Sequence, residues 1–182
     1  MVWLVIGVVL WAYSHLMKRV TPGFRAGLGD GPGKGVAAVL SLIAIGAMIY
    51  GYRNAAVVDL WYPPEFMRHI NNLLMVIAVI LVNLGASRGV MRTWLRHPML
   101  TSVKVWALAH LLVNGDLASV VLFGGLMAWA VVDVILINRM ERVWVRPARG
   151  PVVNDVIYLA VSVLLVGVIG YVHGWLGYPV FG

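Results

Sequence analysis

"RHPMLTSVKVWALAHLLVNGDLAS", residues 96–119, decides the fold. Pro98 suits the first turn of a helix, where a missing N–H breaks no bond. The apolar run from there to Val113 reads as a helix, and Asn114-Gly115-Asp116 reads as a tight link to a second apolar run at 117–137. Two greasy helices joined by three residues form an antiparallel hairpin. That hairpin nevertheless holds Lys104, His110 and Asp133, groups that a hydrocarbon environment disfavours by roughly 2.5–3.5 kcal/mol each for charged side chains.

The rest of the chain has the same character. Of its 182 residues, 62% are hydrophobic and 12% charged, with a mean hydropathy of +0.90. Apolar runs recur at about the twenty-residue length that crosses a ~30 Å hydrocarbon layer. An all-α, polytopic membrane protein follows, a six-helix transmembrane bundle forming one domain over 1–182. The expected spans are 2–17, 36–52, 67–86, 98–113, 117–137 and 156–172. The N-terminus has no basic leader segment and reads as a first span, not a removable signal. There is no cysteine, which excludes disulfides, iron–sulfur clusters, thiolate-ligated haem and covalent c-type attachment.

Charge orients this bundle. The loops after the first, third and fifth spans carry four, three and four basic residues, eleven of the fourteen in the chain. They are Lys18, Arg19, Arg25 and Lys34; Arg88, Arg92 and Arg96; and Arg139, Arg142, Arg146 and Arg149. The net charge of +7 is therefore a topology signal, not a nucleic-acid footprint, and the positive-inside rule puts both termini outside. "TPGFRAGLGDGPGKG" (21–35) reads as irregular backbone. Arg88, Arg92 and Arg96, four apart with apolar residues between, read as a basic amphipathic helix on acidic lipid.

Inside the spans, Lys104 and Asp133 lie at comparable depth on the two arms of the hairpin and are expected to form an ion pair or to share a water pocket. His69, Asn72 and Asn83 share a helical face expected to look into the bundle, as do Asp155, Tyr158 and Ser162. Gly124 and Ala128 are expected to allow close helix contact. The chain has five histidines, His15, His69, His97, His110 and His173, and neutral imidazole is the commonest metal ligand and the usual axial ligand of b-type haem. No HExxH, P-loop or GxSxG motif occurs.

"LRHPMLTSVKVWALAHLLVNGDLASVVLFGGLMAWAVVD" (95–133) resembles the core signature of the NnrU family of bacterial membrane proteins. The resemblance extends to 21–52 and to "RHINNLLMVIAVILV" (68–82). It implies a bacterial inner-membrane protein with periplasmic termini, linked to denitrification and nitric-oxide handling. The family is also similar to the zeta-carotene isomerase of plants and cyanobacteria, a b-type haem protein. Carried onto this chain, that similarity implies His110 and His15 as haem ligands; Ala107 stands where the plant enzyme has a cysteine. At ~1.5 Å per residue, His15 and His110 differ in depth by roughly 13 Å. His69 matches the depth of His110 better, so His15 and His69 both remain partners for it. Arg68 and Arg53 would then face haem propionates, which suit guanidinium forks.

The expected function is haem-b-dependent redox or isomerase chemistry on a lipophilic substrate, or nitric-oxide-linked redox chemistry, within the lipid bilayer. One alternative is a membrane S-adenosylmethionine-dependent methyltransferase, since Arg-His-Pro also opens the cofactor segment of isoprenylcysteine-type enzymes. Another is a non-catalytic assembly factor for nitrogen-oxide reductase components.

Overall fold

A computed structural model describes residues 1–180. Of the described residues 75% are helical, and no strand occurs among them. The helices are α1 (Val2–Val20), the short α2 (Pro22–Gly27), α3 (Asp30–Arg53), α4 (Met67–Val82), α5 (Pro98–Val113), α6 (Leu117–Met140) and α7 (Val152–Trp175). Four stretches are long and apolar enough to cross a membrane: Asp30–Arg53, Met67–Ala86, Leu117–Met140 and Val152–Trp175. The other two of the six expected spans fall on α1 and on the shorter apolar helix α5. The last turn of α1 carries Lys18 and Arg19, and the 16 residues of α5 reach only about 24 Å.

The helices alternate in direction. Leu4 lies against Gly51, Gly7 against Met48 and Ser14 against Ser41, so α1 and α3 are antiparallel. Close approach here needs glycine: a Cβ on Gly7 would stand 2.7 Å from the Met48 backbone nitrogen, and one on Gly51 would collide with the Leu4 backbone. The Ser102 hydroxyl donates to the Ala78 carbonyl at 2.7 Å and Tyr158 donates to that of Ile80, which sets α4 antiparallel to both α5 and α7. By contrast, α1 runs parallel to α6, with Val8 beside Gly125, Trp11 beside Trp129 and Arg19 beside Asp133. The close contact on α6 falls at Gly125, not at Gly124. One end of the bundle thus gathers the basic loops; the other holds the 114–116 link and the ends of α3, α5 and α7.

Several local expectations change. Helix α3 starts at Asp30, six residues early, because Gly29 (φ 77°) turns the chain and Asp30 salt-bridges Lys34 one turn on at 2.8 Å. The segment 22–27, expected to be irregular, is the short helix α2. Residues 88–97 form no amphipathic helix. The Asp155 carboxylate accepts from the Val90 and Met91 amides at 2.7 and 3.2 Å, leaving only a 3₁₀ turn at Met91–Thr93. On α4 the buried asparagine is Asn71, while His69 and Asn83 are exposed. Two residues before Asn71 at ~100° each, His69 points about 160° away from the buried face.

The 114–116 link is built from three separate contacts. Asn114 Nδ2 donates to the His110 carbonyl at 2.8 Å, closing the end of α5. The Gly115 carbonyl accepts from the Leu60 and Trp61 amides, and a side chain there would strike the Trp61 carbonyl. Asp116 caps α6 by accepting from the Ser119 amide at 2.9 Å and its hydroxyl at 2.6 Å.

Candidate functional site

Two imidazoles project from parallel constructions. Trp11 and His15 on α1, and Trp106 and His110 on α5, are each a tryptophan followed four residues later by a histidine. At that spacing the two side chains stack on one helix face. Each histidine Nδ1 lies 2.9 Å from the carbonyl of its own tryptophan. Donation to that carbonyl puts the proton on Nδ1 and leaves Nε2 as a lone-pair donor, the form in which imidazole binds a metal.

The rings then meet different parts of α6. His110 stacks on Phe123, with centroids 4.5 Å apart, and has Trp106 at 5.0 Å. His15 sits between Trp11 at 4.2 Å and Trp129 at 4.9 Å. Phe123 and Trp129 are six residues apart, about 9 Å along a helix. The bundle therefore does not bring His15 and His110 together. It does not bring His69 to His110 either, because His69 faces outward. Arg53 and Arg68 are exposed at the ends of α3 and α4, at the same end of the bundle as His110.

Helix α6 is irregular where it meets His110. Residues Val120–Gly124 form a π turn, and Phe123 lies within it. Such turns widen a helix locally and occur often at functional sites. Just before it, the Ser119 hydroxyl is 2.9 Å from the Tyr52 hydroxyl and bonds the Asp116 carboxylate, linking α3 to the start of α6.

The expected Lys104–Asp133 pair does not form. Asp133 faces Arg19 at 3.1 Å, because α1 runs beside α6 and delivers its last-turn arginine at that depth. Lys104 makes no ion pair among the described residues. The Arg-His-Pro segment lines an open cleft of about 450 Å³ with Val82 and Asn83. Its polar groups are engaged, His97 Nε2 with Asn138 at 2.9 Å and Arg96 with the Glu141 carbonyl.

No group of three or more His, Asp or Glu side chains that could hold a bare metal ion exists among the described residues. A porphyrin already fills four positions of its iron and needs one or two protein ligands, so a histidine such as His110 fits that group where it would not fit zinc. What sequence reasoning missed is the repeated Trp-x-x-x-His spacing and the aromatic partners Phe123 and Trp129. The spacing was legible; the partners depend on which helices meet.

The NnrU protein family matches residues 3–180. The chain belongs to that family. No curated protein and no solved structure matches it.

Proposed function

We propose, with NnrU membership as the premise, that this chain is a haem-b-binding protein that crosses the bacterial inner membrane six times, with both termini periplasmic. What carries the reading is His110. Its Nδ1 is tied to the Trp106 carbonyl, its ring stacks on Phe123, and its Nε2 has no hydrogen-bond partner among the described residues. The alternating helix directions and the gathering of the basic loops at one end support the six-pass topology.

His110 would hold the iron, and Arg53 and Arg68 stand at the right end to meet the propionates. A bound haem would supply one-electron redox chemistry and an exchangeable position for a small ligand. The chain's own residues orient that centre. The Trp106 carbonyl fixes the tautomer, Phe123 fixes the ring plane, and the Tyr52–Ser119–Asp116 contacts hold the start of α6 against the end of α3. The role is nitric-oxide-linked redox chemistry in denitrification, or isomerisation of a lipophilic substrate.

A pyridine haemochrome spectrum of gently purified protein tests this. Wild type shows the b-type spectrum and His110→Ala loses it; a reconstituted wild type without a Soret band ends the proposal. Calorimetry with S-adenosylmethionine separates it from a methyltransferase using the Arg96–His97–Pro98 cleft. An assembly factor for nitrogen-oxide reductases would keep full function in a His15/His69/His110 triple alanine variant.

A further inference from the structure

We infer that residues 142–149, the strap that joins α6 to α7, form a docking surface for acidic phospholipid at the basic end of the bundle. The inference does not depend on the haem reading; it needs only that α6 and α7 cross the membrane.

The strap presents its own charge outward. Residues 141–151 form neither helix nor turn, and Arg142, Arg146 and Arg149 are exposed. None of the three makes an ion pair among the described residues. No carboxylate occurs from Arg142 to Pro151. Three cations without counterions in one short segment suit an anionic surface.

The arginines of the neighbouring loop are engaged differently. Arg92 Nε donates to the Ala148 carbonyl at 3.2 Å and Arg96 donates to the Glu141 carbonyl, so two half-buried guanidinium groups turn toward the ends of the strap. The Gly150 amide donates to the Gly89 carbonyl at 3.1 Å, and Asn154 Nδ2 to that of Arg88 at 3.0 Å. The strap is thus pinned at both ends, while residues 142–147 between the pins make no hydrogen bond among the described residues. Two of the three cations expected on acidic lipid, Arg92 and Arg96, are therefore held against the strap, and the strap's own arginines are the ones left facing out.

An apolar component points to lipid and not to a soluble polyanion. Val143 and Val145 are 81% and 83% exposed, and Trp144 between them is half-buried with the Arg146 guanidinium 5.2 Å over its ring. Exposed apolar surface continues onto both adjoining helices, through Ile135 and Met140 on α6 and Val152, Val153 and Val156 on α7. Two long apolar helices that meet at the strap set it at the boundary between hydrocarbon and headgroups. Valines that enter that layer, beside arginines that meet its phosphates, supply the two signals that hold a segment on an acidic leaflet.

The experiment places an environment-sensitive fluorophore on Val145→Cys, in a chain that has no cysteine of its own. The labelled full chain is reconstituted into vesicles of phosphatidylcholine alone and of phosphatidylcholine mixed equally with phosphatidylglycerol. In the mixed vesicles the emission is expected to shift to the blue and to be quenched by lipids brominated on their acyl chains; in phosphatidylcholine alone it stays solvent-like. Raised salt reverses the shift by screening the surface charges, and Arg142→Gln/Arg146→Gln/Arg149→Gln abolishes it. A label on Val163→Cys, on the exposed apolar side of α7, reports lipid in both vesicle types and in the triple variant, which shows that the bundle is inserted. Val145 emission that stays solvent-like in both vesicle types, or that shifts equally in both, overturns the inference. So does a shift that follows the protein-to-lipid ratio and not the lipid charge, as contact with a second copy would.

Discussion

The Asp133 carboxylate on α6 and the Arg19 guanidinium at the end of α1 stand 3.1 Å apart, both largely shielded from solvent. They tie together two parallel helices through residues 114 positions apart in sequence. Removing one partner strands the other charge. Asp133→Ala is expected to destabilise the bundle by roughly 3–5 kcal/mol, and the Arg19→Met/Asp133→Leu double variant to recover most of that. Denaturant unfolding in detergent, followed by circular dichroism, reads both; equal losses in the single and double variants would contradict the pairing.

Gly51 and Gly46 occupy the same helix and make opposite predictions. A methyl group on Gly51 collides with the Leu4 backbone, whereas one on Gly46 meets nothing within 4 Å. Gly51→Ala is expected to cost about 1–3 kcal/mol by forcing α1 from α3, and Gly46→Ala to gain up to about 1 kcal/mol from helix propensity. Thermal unfolding of the two variants side by side checks the α1–α3 contact.

Asp155 holds the basic loop by accepting from two backbone amides, those of Val90 and Met91. Asp155→Ala leaves both without their acceptor, at a cost of about 1–3 kcal/mol for each group that stays buried. The segment around Arg88 and Arg92 should then open. Limited trypsin digestion is expected to cut there faster than in wild type, while the α5–α6 hairpin remains protected; unchanged cleavage would show that the loop has other anchors.

Much of this was legible in the sequence because apolar periodicity and loop charge act locally. The α5–α6 hairpin begins at Pro98 and turns at Asn114-Gly115-Asp116 as its residues require. Partnerships between distant helices were not legible. Asp133 faces Lys104 if only the hairpin is considered, and Arg19 once α1 is laid beside α6. The Arg88–Arg96 stretch has helical spacing, but a carboxylate 59 residues beyond Arg96 claims its amides. On α4, His69 and Asn72 share an arc, yet the buried face is the one carrying Asn71, because α5 and α7 cover that side. The signature singles out His110 in the sequence, whereas its stacking on Phe123 depends on how α5 meets α6.

Haem titration into the apoprotein, followed at the Soret band, tests the role of His110 most directly. Wild type should saturate sharply at one haem per chain, and His110→Ala should show no stoichiometric break. A His110→Ala protein that binds haem as wild type does, with the same spectrum, would contradict the assignment of His110 as the ligand.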